Sequence, residues 1–161
     1  HYTFEMPASS AVVFDAFHQH AWRLRWDSLV RKTQVEGGGE CPDVGAVTDN
    51  AGAGWLALLN MRTRFISFDR PHLAAAKMEG RAFPFAHWAA SMRHRDTGPA
   101  ASVLLYTYSL STTPRALRWL MEPLVDRAFH RQTCRRFRRL QTFLLQHGSE
   151  IEAWQRARAP A

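Results

Sequence analysis

Cysteine, lysine and long apolar runs are all scarce in this chain of 161 residues, and each scarcity argues against a class of protein. The two cysteines, Cys41 and Cys134, lie far apart in the sequence, which argues against a disulfide framework and against a zinc site made of cysteines. No window reaches the roughly 18 to 20 uninterrupted apolar residues that a membrane-spanning helix requires. No basic and then apolar leader opens the chain, so we expect a soluble, cytoplasmic protein.

Catalytic and metal-binding motifs are missing as well. The run Gly37–Gly39 is not accompanied by the lysine and the serine or threonine of a phosphate-binding loop, so it indicates a turn. His130 and Cys134 are suitably spaced on a helix to share a metal, but no other residues of ligand type accompany them. His18 and His20 are candidates for binding an anion or acting as a base, although exposed histidines are common. We therefore expect no cofactor, no metal site and no dedicated catalytic group.

The positive charge of the chain comes almost entirely from arginine. Lysine and arginine together number 21, only Lys32 and Lys77 are lysines, and the formal net charge is +7. A basic surface attracts nucleic acid or anionic lipid headgroups, whereas a solvated helix face needs no such partner. We favour a solvated face, keep peripheral contact with an anionic membrane as an alternative, and do not expect nucleic acid as a partner.

A long amphipathic helix over residues 113–147 is the most informative feature that is present. Its apolar residues, within Leu117–Leu144, recur at three- and four-residue steps, and arginines occupy the other faces. A threonine and a proline suit its first turn, and Gly148 is expected to end it. Pro123 lies inside the pattern and predicts a kink or two consecutive helices.

The chain before this helix is predicted to contain one strand, a helix capped by Ser9 or Ser10, and about six further strands. The predicted strands cover residues 2–6, 28–36, 44–48, 55–68, 72–79, 86–95 and 101–111. Turns are predicted at Asp49–Gly52 and at Asp96–Pro99. Strands joined by tight turns pair antiparallel, and a sheet of six or seven strands curls, so one helix on its concave side leaves room for a cavity.

The expected fold class is therefore α+β, with a curved antiparallel sheet of six to seven strands wrapped around a long C-terminal helix. Residues 1–148 are expected to form a single domain. Residues 149–161, rich in alanine and arginine, are expected to form a tail of uncertain order.

Several segments together form a pattern that is typical of one superfamily. They are the opening strand with Pro7, the helix that begins near Ser9, Arg25–Asp27, Gly37–Gly39 with Gly45, the strand end Phe68–Pro71, and the helix Leu117–Leu144. From about residue 2 to residue 147 the chain resembles the START-like (SRPBCC) superfamily with the helix-grip fold, in the branch of polyketide cyclase/dehydrase and lipid-transport proteins. The resemblance implies a hydrophobic pocket under the long helix that holds a lipid, sterol, quinone, polyketide or similar molecule.

Large side chains are the candidates for lining such a pocket, because methionine adapts its shape and tryptophan combines a large area with one N–H donor. The candidates are Trp26, Trp55, Met61, Phe65, Trp88, Met92, Tyr106, Tyr108, Met121, Val125 and Phe129. Each of them is an equally good candidate for an ordinary core residue. Which parity of the strand 101–111 faces the pocket is left open, because a slip of one residue inverts the assignment.

Arg62 and Arg64 are the polar candidates for the pocket. A guanidinium at its mouth would hold a carboxylate or a phenolate by paired hydrogen bonds. Strand parity favours the alternative, in which both arginines face solvent on the outer side of the sheet.

Three functions are compatible with these features. We favour a non-catalytic binding or carrier protein for a hydrophobic small molecule. An enzyme of the cyclase or dehydratase type would instead fold a polyketide in the same cavity, with Tyr106, Tyr108 and Arg62 as the available groups. A third alternative is an interaction module whose arginine-rich helix docks on an anionic membrane or on RNA with a steep dependence on salt. The oligomeric state stays open.

Overall fold

The computed structural model of the chain describes residues 1–52, 60–80, 82–83, 85–113 and 118–158. The described residues form seven strands and three helices. In chain order they are β1 (Tyr2–Met6), α1 (Ser10–His18), α2 (His20–Trp26), β2 (Val30–Val35), β3 (Val47–Gly52), β4 (Asn60–Asp69), β5 (Leu73–Met78), β6 (Phe85–Gly98), β7 (Ala101–Thr112) and α3 (Arg118–Arg158).

The seven strands form one antiparallel sheet in the order β1-β7-β6-β5-β4-β3-β2. Consecutive strands from β2 to β7 are neighbours, and β1 closes the far edge by pairing with β7. The ladders contain irregularities, for example between Phe65 and Ser67 on β4 and between Asp96 and Gly98 on β6, and such bulges bend a sheet and increase its twist. This sheet with its long last helix confirms the predicted helix-grip fold.

Strand β3 corrects the prediction of a turn at Asp49–Gly52, because these residues continue the strand. The Asn50 side chain explains the difference. Its Oδ1 accepts a hydrogen bond from Thr33 on β2 at 3.0 Å, and its Nδ2 donates to the hydroxyls of Thr48 at 3.1 Å and Thr63 on β4 at 3.2 Å. Asparagine favours turns when it bonds its own backbone, and here partners on both neighbouring strands replace those local bonds.

The β6–β7 hairpin is present, but its turn lies later than predicted. Asp96 still pairs in register with Ser102, and the chain reverses at Pro99 and Ala100. The Asp96 carboxylate accepts hydrogen bonds from the backbone N–H and the hydroxyl of Ser10, at 2.6 Å and 2.5 Å. Asp96 therefore joins the end of β6 to the start of α1 instead of forming the turn.

Helix α3 runs through Gly148 to Arg158, so the prediction that it ends at Gly148 is wrong, and residues 149–158 of the predicted tail are helical. Contacts beyond the glycine account for this. Ile151 is fully buried in the main core, and the Gln155 amide donates to the Asp15 carboxylate on α1 at 2.6 Å. These contacts outweigh the roughly 1 kcal/mol that glycine costs a helix relative to alanine.

The same helix passes Pro123 without ending, and its predicted first residues 114–117 lie outside the described part of the chain.

The main hydrophobic core lies where α1 and the second half of α3 pack on β1, β6 and β7. Its fully buried members include Val12 and Val13 of α1, Leu104 of β7, and Phe137 and Leu140 of α3. Burying one such side chain stabilises the fold by about 1.5 to 3 kcal/mol. We propose that the chain forms a single domain around this core.

Candidate ligand cavity

A cavity of about 390 Å³ lies between the inner face of the sheet and the first half of α3. Alternate residues of neighbouring strands point into it, as the period of two in a strand requires. Several of them are small, namely Ala74 and Ala76 on β5 and Ala90 on β6. These three alanines leave space that larger side chains on the same face would occupy. The void is thus a consequence of residue size at these positions on the sheet.

Most of the predicted pocket residues lie at this cavity. Its lining includes the predicted residues Met61, Phe65, Trp88, Met92, Tyr106, Val125 and Phe129. The lining also includes Phe17, Leu29, Val30, Phe85, Leu124 and Ala128, which the sequence analysis did not single out. Trp55 lies outside the described residues. That any of these side chains binds a ligand stays a prediction.

Trp26 is placed in the main core and not at the cavity, which corrects its prediction as a pocket residue. Its indole N–H donates to the Ala16 carbonyl at 2.8 Å, and its ring packs against Phe17 at 5.6 Å between centroids. The only donor of this side chain is therefore used to fix α2 against α1.

Even-numbered residues of β7 face inward, which resolves the parity that the sequence left open. Leu104 is fully buried, and Tyr106 lines the cavity. Burial, against the opposing influence of Arg136 and Arg23, raises the pKa of Tyr106 to about 12, so its hydroxyl is protonated at neutral pH.

Tyr108 follows on the same face but lies beside a separate surface groove, which corrects its placement in the pocket. Its hydroxyl donates to Asp126 at 2.8 Å and lies 3.2 Å from the Tyr2 hydroxyl. Burial, reinforced by these hydrogen bonds, raises the pKa of Tyr108. Met121 is half-buried near this end of α3 and does not belong to the described cavity lining.

Arg62 and Arg64 lie on the outer face of β4, so their prediction as polar pocket residues is corrected. Arg62 forms ion pairs with Glu36 at 2.6 Å and Glu79 at 3.4 Å. Arg64 also pairs with Glu79 and donates to the Gly45 carbonyl at 2.9 Å. The reason is the strand parity already considered, because the inward positions of β4 belong to residues 61, 63 and 65.

A different pair of arginines provides the positive charge of the cavity. Arg23 on α2 and Arg136 on α3, here called the arginine pair, both line the cavity and both bind Asp27. The Arg23 Nε donates to the Asp27 Oδ2 at 3.1 Å, and the Arg136 Nε donates to the same oxygen at 3.0 Å, with a second bond from the Arg136 Nη2. The Asp27 side chain is 0% exposed, and those of Arg23 and Arg136 are 13% and 17% exposed.

The pKa values of this cluster follow from burial and from mutual charge. Burial alone would raise the pKa of Asp27, but the charges and hydrogen bonds of Arg136 and Arg23 outweigh burial and lower it. Burial, and next the charge of Arg136, lowers the pKa of Arg23 to about 10 in spite of Asp27. Asp27 and Arg23 are therefore both charged at neutral pH.

His18 is a further polar group that the structure brings to the cavity. Its ring is surrounded by the rings of Phe14, Phe17, Phe65 and Phe68, with centroids between 4.4 and 5.9 Å away. Neither ring nitrogen has a hydrogen-bond partner among the described residues. Burial, with further contributions from His94 and the arginine pair, lowers the pKa of His18 well below its ordinary value. The imidazole is therefore neutral at pH 7, and each nitrogen is able to meet a polar group of a ligand.

Part of the arginine cluster had a signal in the sequence. Arg23 of α2 and Asp27, which directly follows α2, are four residues apart, a spacing that brings side chains together at a helix end. Arg136 had no such signal, because α3 carries many arginines and its partner lies 109 positions away in the sequence.

Among the residues that the structure describes, no group of three His, Cys, Asp or Glu side chains is placed to hold a metal ion. In the same residues no helix combines the length and the apolar character that crossing a bilayer demands.

The chain belongs to the polyketide cyclase / dehydrase and lipid transport family, whose profile matches residues 1–143. This confirms the resemblance seen in the sequence. A search of curated protein sequences gave no match.

Solved structures share the fold at low sequence identity. XoxI from Bacillus cereus has a TM-score of 0.68 and 14% identity, with 89% of this chain and 93% of that chain covered. The protein Ara h 8.0201 has a TM-score of 0.68 and 11% identity, with 90% and 98% covered. Norcoclaurine synthase from Thalictrum flavum, in complex with dopamine and hydroxybenzaldehyde, has a TM-score of 0.63 and 16% identity, with 91% and 85% covered. At these identities the likeness shows the fold alone.

Proposed function

We propose that this protein binds a hydrophobic small molecule in the cavity between the sheet and α3 and acts as a non-catalytic carrier. The observation that carries the proposal is the cavity itself, with a mainly apolar wall that includes Met61, Phe65, Trp88 and Phe129. Its volume falls in the range of roughly 300 to 1,000 Å³ that is usual for small-molecule sites. Membership of a family that includes lipid transport supports a small-molecule ligand.

The energetics favour an apolar ligand. Each Å² of apolar surface removed from water contributes about 25 cal/mol before the costs of association. A ligand that buries on the order of 300 Å² of apolar surface would therefore gain roughly 7.5 kcal/mol. Apolar burial in this cavity thus favours binding without any covalent chemistry.

Leu124 indicates where a ligand would enter. It lines the cavity and is also 65% exposed, so it lies where the cavity meets solvent. Trp119 and Leu120, one turn earlier on α3, are also exposed. A hydrophobic molecule that enters or leaves through this opening would therefore contact the apolar side chains at its rim.

A test of the carrier function uses Nile red, a neutral dye that fluoresces in apolar surroundings. Ala76→Phe fills the cavity from β5, and Ala75→Phe places the same volume on the opposite face of the same strand. We expect the wild type and Ala75→Phe to bind the dye and Ala76→Phe to lose at least about tenfold in affinity. Equal binding by both variants would contradict a site in this cavity, and thermal unfolding controls for folding.

A second candidate is an enzyme of the cyclase type. Two observations favour it: His18 is neutral and unpartnered at the cavity, and the Tyr106 hydroxyl is protonated there, so one accepts a proton and the other donates one. This candidate predicts that Tyr106→Phe or His18→Gln abolishes turnover of a synthetic poly-β-ketone while Nile red binding persists. Undiminished turnover in both variants would remove these residues from any mechanism.

Peripheral contact with an anionic membrane is a further candidate for the rim of the cavity. Exposed Trp119, Leu120 and Leu124 lie in the same half of α3 as exposed Arg127 and Arg131. Sedimentation with phosphatidylserine vesicles at two salt concentrations tests it, since binding through arginine falls with salt. Equal sedimentation with neutral phosphatidylcholine vesicles would contradict a role for the arginines.

A further inference from the structure

The arginine pair leaves the cavity with an excess of positive charge. Arg23 and Arg136 share a single carboxylate, that of Asp27, so two positive charges stand against one negative charge. The described lining of the cavity includes both arginines but no aspartate or glutamate. His18 is neutral and adds no charge of its own. One positive charge therefore remains uncompensated at the cavity wall.

Without a further anion, the uncompensated positive charge of the arginine pair is energetically unfavourable. The side chains of the arginine pair are only 13% and 17% exposed, so water compensates their charge poorly. The lowered pKa of Arg23 has the same origin, with burial as the main cause and the neighbouring charge of Arg136 as the next. A bound anion would supply the missing negative charge and relieve the repulsion within the pair.

Hydrogen-bond donors of the arginine pair remain available for such an anion. Arg23 uses its Nε for Asp27, and Arg136 uses its Nε and Nη2. No other hydrogen bond of either guanidinium is formed within the described part of the chain. A guanidinium carries five N–H donors in a planar fork that suits a carboxylate. His18, buried with both nitrogens unpartnered at the same cavity, offers one donor more.

The apolar part of the cavity lies closer to the start of α3 than the arginine pair does. Val125 and Phe129 line it about three and about two turns before Arg136, and Phe129 packs edge-on against Phe85 with centroids 6.4 Å apart. At a rise of 1.5 Å per residue, Val125 and Arg136 are separated by about 16 Å along the helix. The cavity thus has one positive region and one apolar region, at a distance that suits an elongated molecule.

We propose that the ligand is an amphipathic monocarboxylate whose carboxylate binds the arginine pair and whose apolar body extends towards Phe129 and Val125. The inference rests on the proposed function, because it assigns a chemical class and an orientation to the ligand of the same cavity. It further assigns the preference for a carboxylate to Arg23 and Arg136, which are far apart in the sequence.

The test compares two molecules that differ only in the head group. Dodecanoic acid and dodecan-1-ol, each below its aggregation concentration, are titrated into the protein at pH 7.5 by calorimetry. We expect the wild type to bind the acid about tenfold more tightly than the alcohol, since hydrogen bonds to charged groups are the stronger ones. Equal affinities for the acid and the alcohol would overturn the inference.

Variants assign the preference to the arginine pair. Arg136→Gln and Arg23→Gln each leave Asp27 one arginine partner, and we expect each to lower the affinity for the acid to about that of the alcohol while the alcohol binds as before. Arg135→Gln, an exposed position on the same helix, removes the same charge and should keep the preference. A preference that survives in both Arg23→Gln and Arg136→Gln would overturn the assignment.

Nile red separates the failure of this inference from the failure of the proposed function. If the dye binds and is displaced by neither dodecyl compound, the monocarboxylate is excluded and the hydrophobic site stands. If neither the dye nor either dodecyl compound binds the wild type, the proposed function is overturned and this inference with it.

Discussion

The two halves of α3 carry a similar amphipathic pattern but have different surroundings. In the second half, Phe137 and Leu140 are fully buried against the sheet and α1. In the first half, Trp119, Leu120 and Leu124 are 77%, 50% and 65% exposed. The second half therefore completes a core, and the first half covers a cavity without filling it.

The change between the halves occurs near Arg136. This residue binds Asp27 at the end of α2 and stacks over the Phe17 ring at 4.6 Å, so it belongs to the core as well as to the cavity. Beyond it, Gln155 joins the end of the helix to Asp15, which also holds Arg70 by two hydrogen bonds of 2.7 and 2.6 Å. One continuous helix can therefore stabilise the fold with one half and leave the other half for a ligand.

The largest expected difference between the halves is in stability. Phe137→Ala should lower the free energy of unfolding by about 4 kcal/mol, because it opens a void in a closed core. Phe129→Ala, at the cavity, should cost about 1 to 2 kcal/mol, because its ring is only partly packed. Urea denaturation measures both values. Equal losses would contradict the distinction between a packed half and a covering half.

A substitution of Asp27 tests the contact with Arg136, where the two halves of α3 meet. Asp27→Asn should lower the free energy of unfolding by about 3 kcal/mol, since it leaves two poorly solvated guanidiniums without their anion. The same change should not weaken dodecanoate binding, because the positive charge of the cavity increases. Asp43→Asn, at an exposed loop position, serves as the control in both measurements. Weaker dodecanoate binding in Asp27→Asn would contradict the charge argument.

Acid should destabilise the protein through His94 of β6, which is buried near Phe14 of α1. Burial, with His72 as the next cause, lowers the pKa of His94 to about 4, below its ordinary value of 6.5. The unfolded chain therefore binds more protons between these values, and stability is lost as the pH falls from about 6.5 towards 4. The full effect is about 3 kcal/mol.

His94→Gln isolates this contribution in unfolding curves measured at several pH values. The variant should lose stability less steeply than the wild type between pH 6.5 and 4. Parallel curves would show that another group, such as His18, dominates.

The smallest expected effect is at Gly148, and its sign is informative. A Cβ at this helical glycine would meet no atom within 4 Å, so Gly148→Ala should stabilise the protein by about 0.5 to 1 kcal/mol. Gly45→Ala should lower the stability, because a residue other than glycine is strained at the φ of 82° that this position adopts. Thermal unfolding distinguishes the two signs. A loss of stability in Gly148→Ala would support the helix end that the sequence predicted.

Local patterns were sufficient for most of the fold. The alternation of Met61 and Phe65 with Arg62 and Arg64 indicates which face of β4 turns inward, because side chains alternate strictly along a strand. Asn50 shows where local patterns fail. Its preference for turns is local, whereas the hydroxyls that hold it in β3 come partly from neighbouring strands.

The polar side of the cavity depends on contacts between distant segments. In the sequence Arg136 is one of many arginines on α3, and only the fold brings it to Asp27. Likewise, only the fold shows that Ile151 is buried, which allows the helix to continue past Gly148. Periodicity gives the face of an element but not its partner, so neither contact could be predicted from the sequence.

Hydrogen exchange along α3, measured with and without dodecanoic acid, tests the contrast between its halves most directly. In the protein alone, we expect backbone amides of residues 118–133 to exchange faster than those of residues 137–158, because exchange follows local packing. Dodecanoic acid should slow exchange in residues 118–133 and leave residues 137–158 nearly unchanged. Equal exchange in both halves without ligand, or equal slowing of both with it, would contradict the account.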